Sequence, residues 1–475
     1  MPPGPPAAAD SIHNDSLQLS SSPMKQVAQL PLDHLPSVSL LRLYDPATQG
    51  NSFSLDGFPA LKEGRGWQRR LLEFIELKGA LGMTTNQTLF RQLLETGVLD
   101  ERLRAFHAEG RSPEEIYQVL YNEAAMEAAR AFSMIHAQWP WEGRVSQEAS
   151  ALLTELDPLV REVLRIAGAM KGVGAFTKVP NLKVGPQAVR MAVASGQVHP
   201  NVTLVFSDRH YLDTVEGYLL GLKDLAERGK ALSGIFSVNS LFVSRIDRVV
   251  DPMIDERMKL LKGKVAVAHA KKIYAMFEAI FLGKKFQDTE GLYADSEGEL
   301  MLEQIALLHS LYNKLKPLGA NPQRLLIASS GVKSDQPYHP LLYVLPLLGP
   351  WTANTMPEGT LEVFSRFVAE LSDEQTESLR RRNLMEEPLP SIPTGAQPVE
   401  EWAQAVLMTS EERHRRGIGQ ITPDQVLRQV NDAVLQPRNT TLRKICDDLR
   451  DKGAHAFTAD EQATLQAIEA KLKAL

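Results

Sequence analysis

The sequence of 475 residues is poor in cysteine and has no long hydrophobic run. Its one cysteine, Cys446, excludes an internal disulfide framework and a thiolate metal site, and this scarcity favours a reducing compartment. No apolar stretch approaches the ~20 residues that a membrane-spanning helix needs. We therefore expect a cytoplasmic protein that does not bind a membrane.

An excess of positive charge is also missing. The formal net charge is -6, whereas binding to nucleic acids is driven by basic surface. The 11 histidines are scattered without metal-ligand spacing. Gly172-Val173-Gly174 lacks the third glycine and the following helix of a dinucleotide-binding turn. The sequence thus predicts no nucleic-acid partner, no metal and no organic cofactor.

Short apolar runs alternate with longer amphipathic runs over most of the chain. Val215, Leu219 and Leu222, for example, have the spacing of a helix that buries one face. Because parallel strands need long crossovers, eight such units favour a closed (β/α)₈ TIM barrel. An open doubly wound sheet is the alternative that periodicity leaves open. The eight predicted strands are Phe53–Leu55, Ala80–Thr84, Arg144–Gln147, Ala175–Val179, Val202–Phe206, Ser240–Val243, Leu325–Ala328 and Thr352–Thr355.

The two ends of the chain depart from this alternation. The N-terminal segment is rich in Pro, Ala and Ser and lacks the apolar core of a secretory signal, which predicts a disordered tail. A Pro-rich stretch, 386–398, predicts a linker after the eighth strand. We expect a tail over 1–40, a barrel over 41–378, a linker or insertion with helices over 379–438, and terminal helices packing on the barrel over 439–475. Two helices are expected between the second and third strands.

Polar side chains stand where barrel chemistry takes place, at the C-terminal ends of the strands. Asp56 ends the first predicted strand, Glu148 follows the third, and Lys178 lies inside the fourth. Burial favours the neutral amine of a lysine, which is the nucleophile of Schiff-base chemistry. The alternatives are that Lys178 pairs with a carboxylate or extends to the barrel rim, and that the two acids cap helices.

Five segments of the chain resemble, in order, the strand motifs of bacterial transaldolases in the longer branch of that family. They are LGMTTNQTLF (81–90), AFTKVPN (175–181), NVTLVFSDRHY (201–211), NSLFVSRID (239–247), and RLLIASSGVK with GPWTANTMPEGTLEVF (324–364). The segment 442–468 is similar to the family's terminal helices. The resemblance implies a (β/α)₈ barrel of the class I aldolase type with extra C-terminal helices.

The resemblance also implies catalytic roles. Lys178 stands where the family has its Schiff-base lysine, which attacks the C2 carbonyl of a ketose phosphate. Asp56 matches the acid–base carboxylate that takes the C4 hydroxyl proton as the C3–C4 bond breaks. Glu148 and Thr203 match a pair that holds a catalytic water and relays protons.

Further matches concern substrate binding. Asn86 and Asn201 match residues that hydrogen-bond the donor's hydroxyls. The matches to phosphate-binding positions are Ser240, Arg245, Ser329 and Lys333. An alternative for Arg245 is a salt bridge to Asp247 or Asp251. The chain departs from the family at Gln87, where proline is usual, and this predicts a looser turn and a weakened or altered donor site.

Three functions remain open at this point. The first is a transaldolase of the pentose phosphate pathway, a transferase of carbohydrate metabolism that moves a dihydroxyacetone unit between sugar phosphates. The second is a related Schiff-base aldolase that acts on another sugar phosphate or releases free dihydroxyacetone. The third is a catalytically silent barrel. The sequence is compatible with a monomer or a homodimer.

Overall fold

The computed structural model of the protein describes residues 39–59, 66–393 and 399–474. The tail predicted over 1–40 lies outside these ranges except for its last two residues. These begin a 3₁₀ helix, Ser39–Arg42, whose Arg42 donates hydrogen bonds to the carbonyl oxygens of Val368 and Leu371. The segment that leads into the first strand is therefore bound to the region around Val368 and Leu371.

Eight parallel strands form a closed barrel in sequential order. The prediction of a (β/α)₈ TIM barrel is confirmed, and the open doubly wound sheet is wrong because the first strand pairs with the eighth. Seven of the eight strands match a predicted one within two residues at each end, and the sixth begins three residues earlier than expected. The strands are β1 Ser52–Asp56, β2 Gly82–Thr84, β3 Arg144–Glu148, β4 Ala175–Pro180, β5 Pro200–Val205, β6 Ser237–Phe242, β7 Gln323–Ala328 and β8 Thr352–Met356.

Helices surround the barrel and extend beyond it. They are α1 Trp67–Glu73, α2 Gln87–Glu95, α3 Asp100–Ala108, α4 Pro113–Ala131, α5 Ser133–Gln138, α6 Leu156–Ala169, α7 Gly185–Ala194, α8 Asp208–Glu227, α9 Ser244–Val250, α10 Val265–Phe277, α11 Ser296–Leu315, α12 Glu358–Glu370, α13 Asp373–Arg381, α14 Val399–Leu407, α15 Ser410–Arg415, α16 Pro423–Val430 and α17 Leu442–Ala474. Within the described ranges, no helix combines the length and apolar character needed to cross a membrane.

The expectation of two helices between β2 and β3 is wrong, because α2 to α5 all lie there. Gly97 and Gly110 adopt positive φ angles shortly after α2 and α3, each of which is nine residues long. Ser112 then starts α4 with a reciprocal capping box to Glu115. Local turns thus divide the stretch between β2 and β3 into four helices.

The barrel interior is layered, with an apolar plug beneath the polar mouth. Phe176, Val238, Leu326 and Ala353 form a small buried cluster of their own. Towards the N-terminal ends of the strands, Glu142 accepts hydrogen bonds from Ser52 Oγ at 2.8 Å and from Arg324 Nη1 at 2.7 Å. This filled lower half leaves the C-terminal ends of the strands as the place where substrate can enter.

The extra C-terminal helices are present. Strand β9 (Leu389–Pro390), within the stretch predicted as a linker, pairs antiparallel with β10 (Gln420–Ile421). The segment that follows the barrel, which contains β9 and β10, is held against α10 by two buried lysines of that helix. Lys271 donates to the Glu387 carbonyl oxygen at 2.8 Å, and Lys272 pairs with Asp424 at 2.9 Å. Helix α17 then returns across the mouth of the barrel.

Candidate active site

Lys178 and Glu148 lie side by side in the mouth, because β3 and β4 pair these two residues in register. Lys178 Nζ is 3.4 Å from Glu148 Oε2 and donates to the Thr85 carbonyl oxygen at 3.1 Å. The side chains are 6% and 0% exposed. Nζ also stands 6.0 Å from the ring centroid of Phe457, which belongs to α17. The lysine is therefore enclosed, and its nearest charge is a carboxylate.

Glu148 has an unusual protonation equilibrium. Burial raises the pKa of its carboxyl to about 7, Lys178 opposes the shift, and the charges of Glu461 and Asp56 reinforce it. Within the described residues, Glu148 Oε1 and Thr203 Oγ1 are buried without a hydrogen-bond partner. Buried polar atoms without partners are rare and call for an explanation. These two have the polarity needed to hold a water or a substrate hydroxyl.

Asp56 ends β1 and faces the same space. Thr84 Oγ1 donates to its Oδ1 at 2.7 Å, which fixes the carboxyl group. Burial raises the pKa of Asp56, while the Thr84 hydrogen bond and the positive charges of Lys178, Lys333 and Arg245 oppose the shift. The carboxyl therefore lies within the electrostatic range of all three cations.

Asn201 is fixed in the barrel interior by a chain of hydrogen bonds. Its Nδ2 donates to Ser146 Oγ at 3.0 Å, and its Oδ1 accepts from Ser240 Oγ at 2.6 Å. Ser240 thus supports Asn201 in this structure. Leu204, the residue that follows Thr203 in β5, has a φ angle of 61°, and the register between β5 and β6 shifts in this part of the strand. Strained backbone of this kind is often retained at functional sites.

Asn86 begins α2 as its N-cap, and its Oδ1 accepts from Leu89 N at 2.9 Å. Gln87 occupies the first helical position, where proline is also favoured. Its side chain is fully buried and its Nε2 donates to the Ala149 carbonyl oxygen at 3.4 Å, in the loop after β3. The turn, which we expected to be looser with Gln87 in place of proline, is therefore supported by the hydrogen bond of the Gln87 side chain.

Two further cations, Arg245 and Lys333, lie near the Asp56 carboxylate. Burial lowers the pKa of both Arg245 and Lys333, the charge of Arg245 lowers the pKa of Lys333 further, and Asp56 opposes both shifts. In the described part of the chain, neither cation has a carboxylate within 4.0 Å. Ser329, with a φ angle of 54°, lies in the loop after β7, and its Oγ is 3.1 Å from Ser244 Oγ. This arrangement suits a phosphate group.

The alternative of a structural salt bridge for Arg245 is not observed. Asp247 accepts from the Ala266 amide at 2.8 Å and from Tyr343 OH at 3.0 Å. Asp251 accepts from the Gly263 amide at 3.1 Å and from Tyr338 OH at 2.6 Å. The guanidinium of Arg245 instead stacks on Phe242, 5.1 Å from the ring centroid.

A comparison with known protein families shows which family the chain belongs to. A family model described as transaldolase/fructose-6-phosphate aldolase matches residues 66–389. The chain belongs to this family. The family assignment expected from the sequence is thereby confirmed, and so is the expectation of a transaldolase enzyme, since the relatives below carry that name.

Three curated transaldolases illustrate the similarity. The transaldolase of Saccharopolyspora erythraea is 34% identical over 295 residues, which cover 61% of this chain and 73% of the relative. Transaldolase 1 of Streptomyces avermitilis is 32% identical over 330 residues, covering 68% and 78%. The transaldolase of Mycobacterium tuberculosis is 31% identical over 302 residues, covering 62% and 73%.

Three site residues of this transaldolase family member were missed by the sequence analysis, and all lie on α17. Gly453 comes so close to the barrel that an added Cβ would be 2.8 Å from Leu204 and 3.4 Å from Arg245 Nη1. One turn later Phe457 faces Lys178, and after another turn Glu461 accepts from Ser150 Oγ at 2.8 Å. Their i, i+4, i+8 spacing shows that they share one helix face, but it does not show what that face covers.

Proposed function

We propose that this chain transfers a dihydroxyacetone unit from fructose 6-phosphate or sedoheptulose 7-phosphate to erythrose 4-phosphate or glyceraldehyde 3-phosphate, through a Schiff base on Lys178. The observation that carries the proposal is the buried Lys178 amine 3.4 Å from the Glu148 carboxylate. We place this reaction in the pentose phosphate pathway. We also place it in the cytoplasm, because a chain whose single cysteine is unpaired suits a reducing compartment.

Schiff-base formation needs a neutral amine and an acid within reach of it. Glu148, whose carboxyl has a pKa of about 7, can exchange a proton near neutral pH, and it is the group within reach that takes a proton from the Lys178 amine in this step. The amine then attacks C2 of the ketose, and the resulting carbinolamine loses its hydroxyl as water when Glu148 returns the proton. Thr203 Oγ1, buried and unpartnered within the described residues, is suited to orient the water.

Cleavage needs a base within reach of the C4 hydroxyl. Asp56 takes the proton of the C4 hydroxyl, the C3–C4 bond breaks, and its electron pair moves into the iminium to form an enamine. An aldose phosphate leaves. A second aldose phosphate, the acceptor, then takes its place. The enamine carbon attacks the carbonyl of the acceptor, and Asp56 returns the proton to the oxygen that becomes the C4 hydroxyl of the product. Hydrolysis of the imine then releases the product ketose and the free lysine.

The two cations at one end of the site would bind the phosphate group of the substrate. Arg245 and Lys333 repel each other electrostatically, and a phosphate dianion between them would relieve this repulsion. Because the phosphate lies at the far end of both donor and acceptor, the same pair would position either sugar with its reacting carbons towards Lys178. Phe457 and α17 cover the amine and restrict water, which favours transfer over hydrolysis.

The proposal is tested by supplying fructose 6-phosphate with and without erythrose 4-phosphate and measuring the products. We expect sedoheptulose 7-phosphate and glyceraldehyde 3-phosphate when the acceptor is present, and very little free dihydroxyacetone when it is absent. Rapid release of dihydroxyacetone regardless of acceptor would instead identify an aldolase. Properly folded protein that forms neither product would identify a silent barrel.

The pH dependence of kcat/KM should report Glu148. The reaction needs the Glu148 carboxylate as a base, so protonation of Glu148 as the pH falls through its pKa of about 7 lowers kcat/KM. The charge of Glu461 raises the pKa of Glu148. In Glu461→Gln this charge is gone, and the acidic limb of the profile should move to lower pH.

The matched control for this prediction is Glu469→Gln, which removes the same charge from an exposed position of α17. Its acidic limb should coincide with that of the unmodified protein. Equal shifts in both variants, or no shift in Glu461→Gln, would show that Glu461 does not act on the protonation of Glu148.

A further inference from the structure

The end of β8 carries no residue of the proposed reaction, although its sequence TANTM lies in the last of the five segments that resemble the family. Thr355, the fourth residue of this strand, is 2% exposed, and its carbonyl oxygen accepts a hydrogen bond from Ser330 Oγ at 2.8 Å. Its hydroxyl oxygen lies 2.7 Å from Thr84 Oγ1. Thr84 ends β2, and β1 separates β2 from β8 in the barrel. The contact therefore bridges β1, the strand that ends in Asp56.

The donors in this chain of three side chains follow from their chemistry. An ionised carboxylate only accepts hydrogen bonds, and Thr84 Oγ1 donates its single proton to Asp56 Oδ1 at 2.7 Å. With this proton in use, Thr84 Oγ1 can only accept from Thr355, which is therefore the donor of the other bond. A hydroxyl that accepts a hydrogen bond is also a stronger donor, because neighbouring hydrogen bonds polarise one another. The Thr355 hydroxyl thus acts on the bond between Thr84 and Asp56.

The direction of the Asp56 carboxyl matters for cleavage of the sugar. In the proposed reaction C2 of the donor is bonded to Lys178 and the phosphate is bound at the other end of the molecule, so the C4 hydroxyl cannot move far towards its base. A base displaced by about 1 Å can cost ~10²-fold in rate. The hydrogen bond from Thr84 fixes the carboxyl and opposes the rise in its pKa that burial causes. A group that orients the Thr84 hydroxyl therefore acts on the cleavage step.

We propose that Thr355 is a positioning residue for cleavage of the C3–C4 bond. Its hydroxyl holds Thr84 in the rotamer that faces Asp56, and the carboxylate is thereby directed at the C4 hydroxyl. This inference rests on the proposed function, because it needs Asp56 as the base for cleavage. Thr355 does not contact the sugar in this role, and imine formation at Lys178 does not depend on it. Loss of the Thr355 hydroxyl should therefore affect one step of the reaction.

The test measures how fast the six-carbon adduct on Lys178 is converted into the three-carbon adduct. The protein is mixed with fructose 6-phosphate and quenched with borohydride at successive short times, and the mass of the Lys178 peptide gives the proportion of each adduct. Thr355→Val removes the hydroxyl and keeps the size of the side chain. It should slow the conversion about tenfold, the effect of one buried hydrogen bond, and leave formation of the six-carbon adduct unchanged. Thr355→Ser keeps the hydroxyl and should convert the adduct at nearly the normal rate.

The matched control is Thr352→Val, the same substitution at the start of the same strand. Thr352 is 3% exposed, and its hydroxyl donates to the Gly349 carbonyl oxygen at 2.6 Å rather than to a residue of the mouth. This variant should convert the adduct at the normal rate. Melting temperatures are measured for all variants, and Thr355→Ala replaces Thr355→Val if the latter does not fold.

A double variant tests whether Thr355 acts through Thr84. Thr84→Val should slow the conversion more than Thr355→Val does, and the double variant should be no slower than Thr84→Val alone. Independent, additive losses would overturn the proposal. So would a normal rate in Thr355→Val, an equal loss in Thr355→Ser, or an equal loss in Thr352→Val. An unmodified protein that forms no three-carbon adduct would refute the proposed function itself, before any variant is compared.

Discussion

Lys178→Met should lose at least about 10⁴-fold in kcat/KM, since removing a covalent nucleophile removes the reaction path rather than one contact along it. Methionine keeps the length and apolar stem of lysine, and the Lys178 side chain is almost completely buried, so the fold should be retained. The measurement is reduction with borohydride in the presence of fructose 6-phosphate, followed by peptide mass mapping. The unmodified protein should carry a three-carbon adduct on Lys178, and Lys178→Met should carry none.

The control is Lys183→Met. Lys183 follows β4 by three residues and is exposed in the turn before α7, so it is the nearest other lysine in sequence and is outside the mouth. Its replacement should leave both the adduct and the activity unchanged. An adduct that survives in Lys178→Met would assign the nucleophile to another residue, and loss of the adduct in both variants would point to a general effect on the β4–α7 turn.

Asp56→Asn should lose about 10² to 10⁴ in kcat, the range for removing a general base, while still forming the Schiff base. Asparagine keeps an oxygen that can accept the hydrogen bond from Thr84, so the position of the side chain is retained. Because the imine forms but the C3–C4 bond does not break, borohydride should trap an intact six-carbon sugar phosphate on Lys178. The mass of the adduct thus distinguishes a failure of cleavage from a failure of imine formation.

Asp157→Asn is the matched control, because it makes the same substitution at an exposed position in the first turn of α6. It should yield the three-carbon adduct at the normal rate. If Asp56→Asn also yields the three-carbon adduct at an undiminished rate, Asp56 is not the base for cleavage. If it yields no adduct, Asp56 acts before the bond is broken.

The positions of the strands and of the strand-end residues were accessible from the sequence for a simple reason. A parallel strand is buried on both faces, so it appears as a short apolar run between helical patterns. A polar residue inside or at the end of such a run, such as Lys178 or Asp56, is therefore conspicuous. The order of the runs makes the third and fourth strands neighbours in a barrel, and the structure pairs Glu148 with Lys178 in register between them.

Other features do not follow from hydrophobic periodicity. The four helices between β2 and β3 are set by glycine turns and by a capping box that hydrophobic periodicity does not register. Gln87 departs from the family pattern, yet its side chain reaches the carbonyl oxygen of Ala149, 62 residues away along the chain. This hydrogen-bond partner could not be predicted, because the periodicity of a helix or strand does not show which loop packs against the turn before α2.

The sequence by itself determined the eight strand–helix units, the resemblance to the family with the barrel that it implies, and the set of polar residues at the strand ends, because alternation and motif order are local properties of the chain. Only the tertiary structure decided the electrostatics of the site. The raised pKa of Glu148 arises from burial together with Glu461, a residue that lies far later in the chain, on α17. Charges act through space and gain strength when water is excluded, so their effect is fixed only once the last helix lies across the barrel mouth.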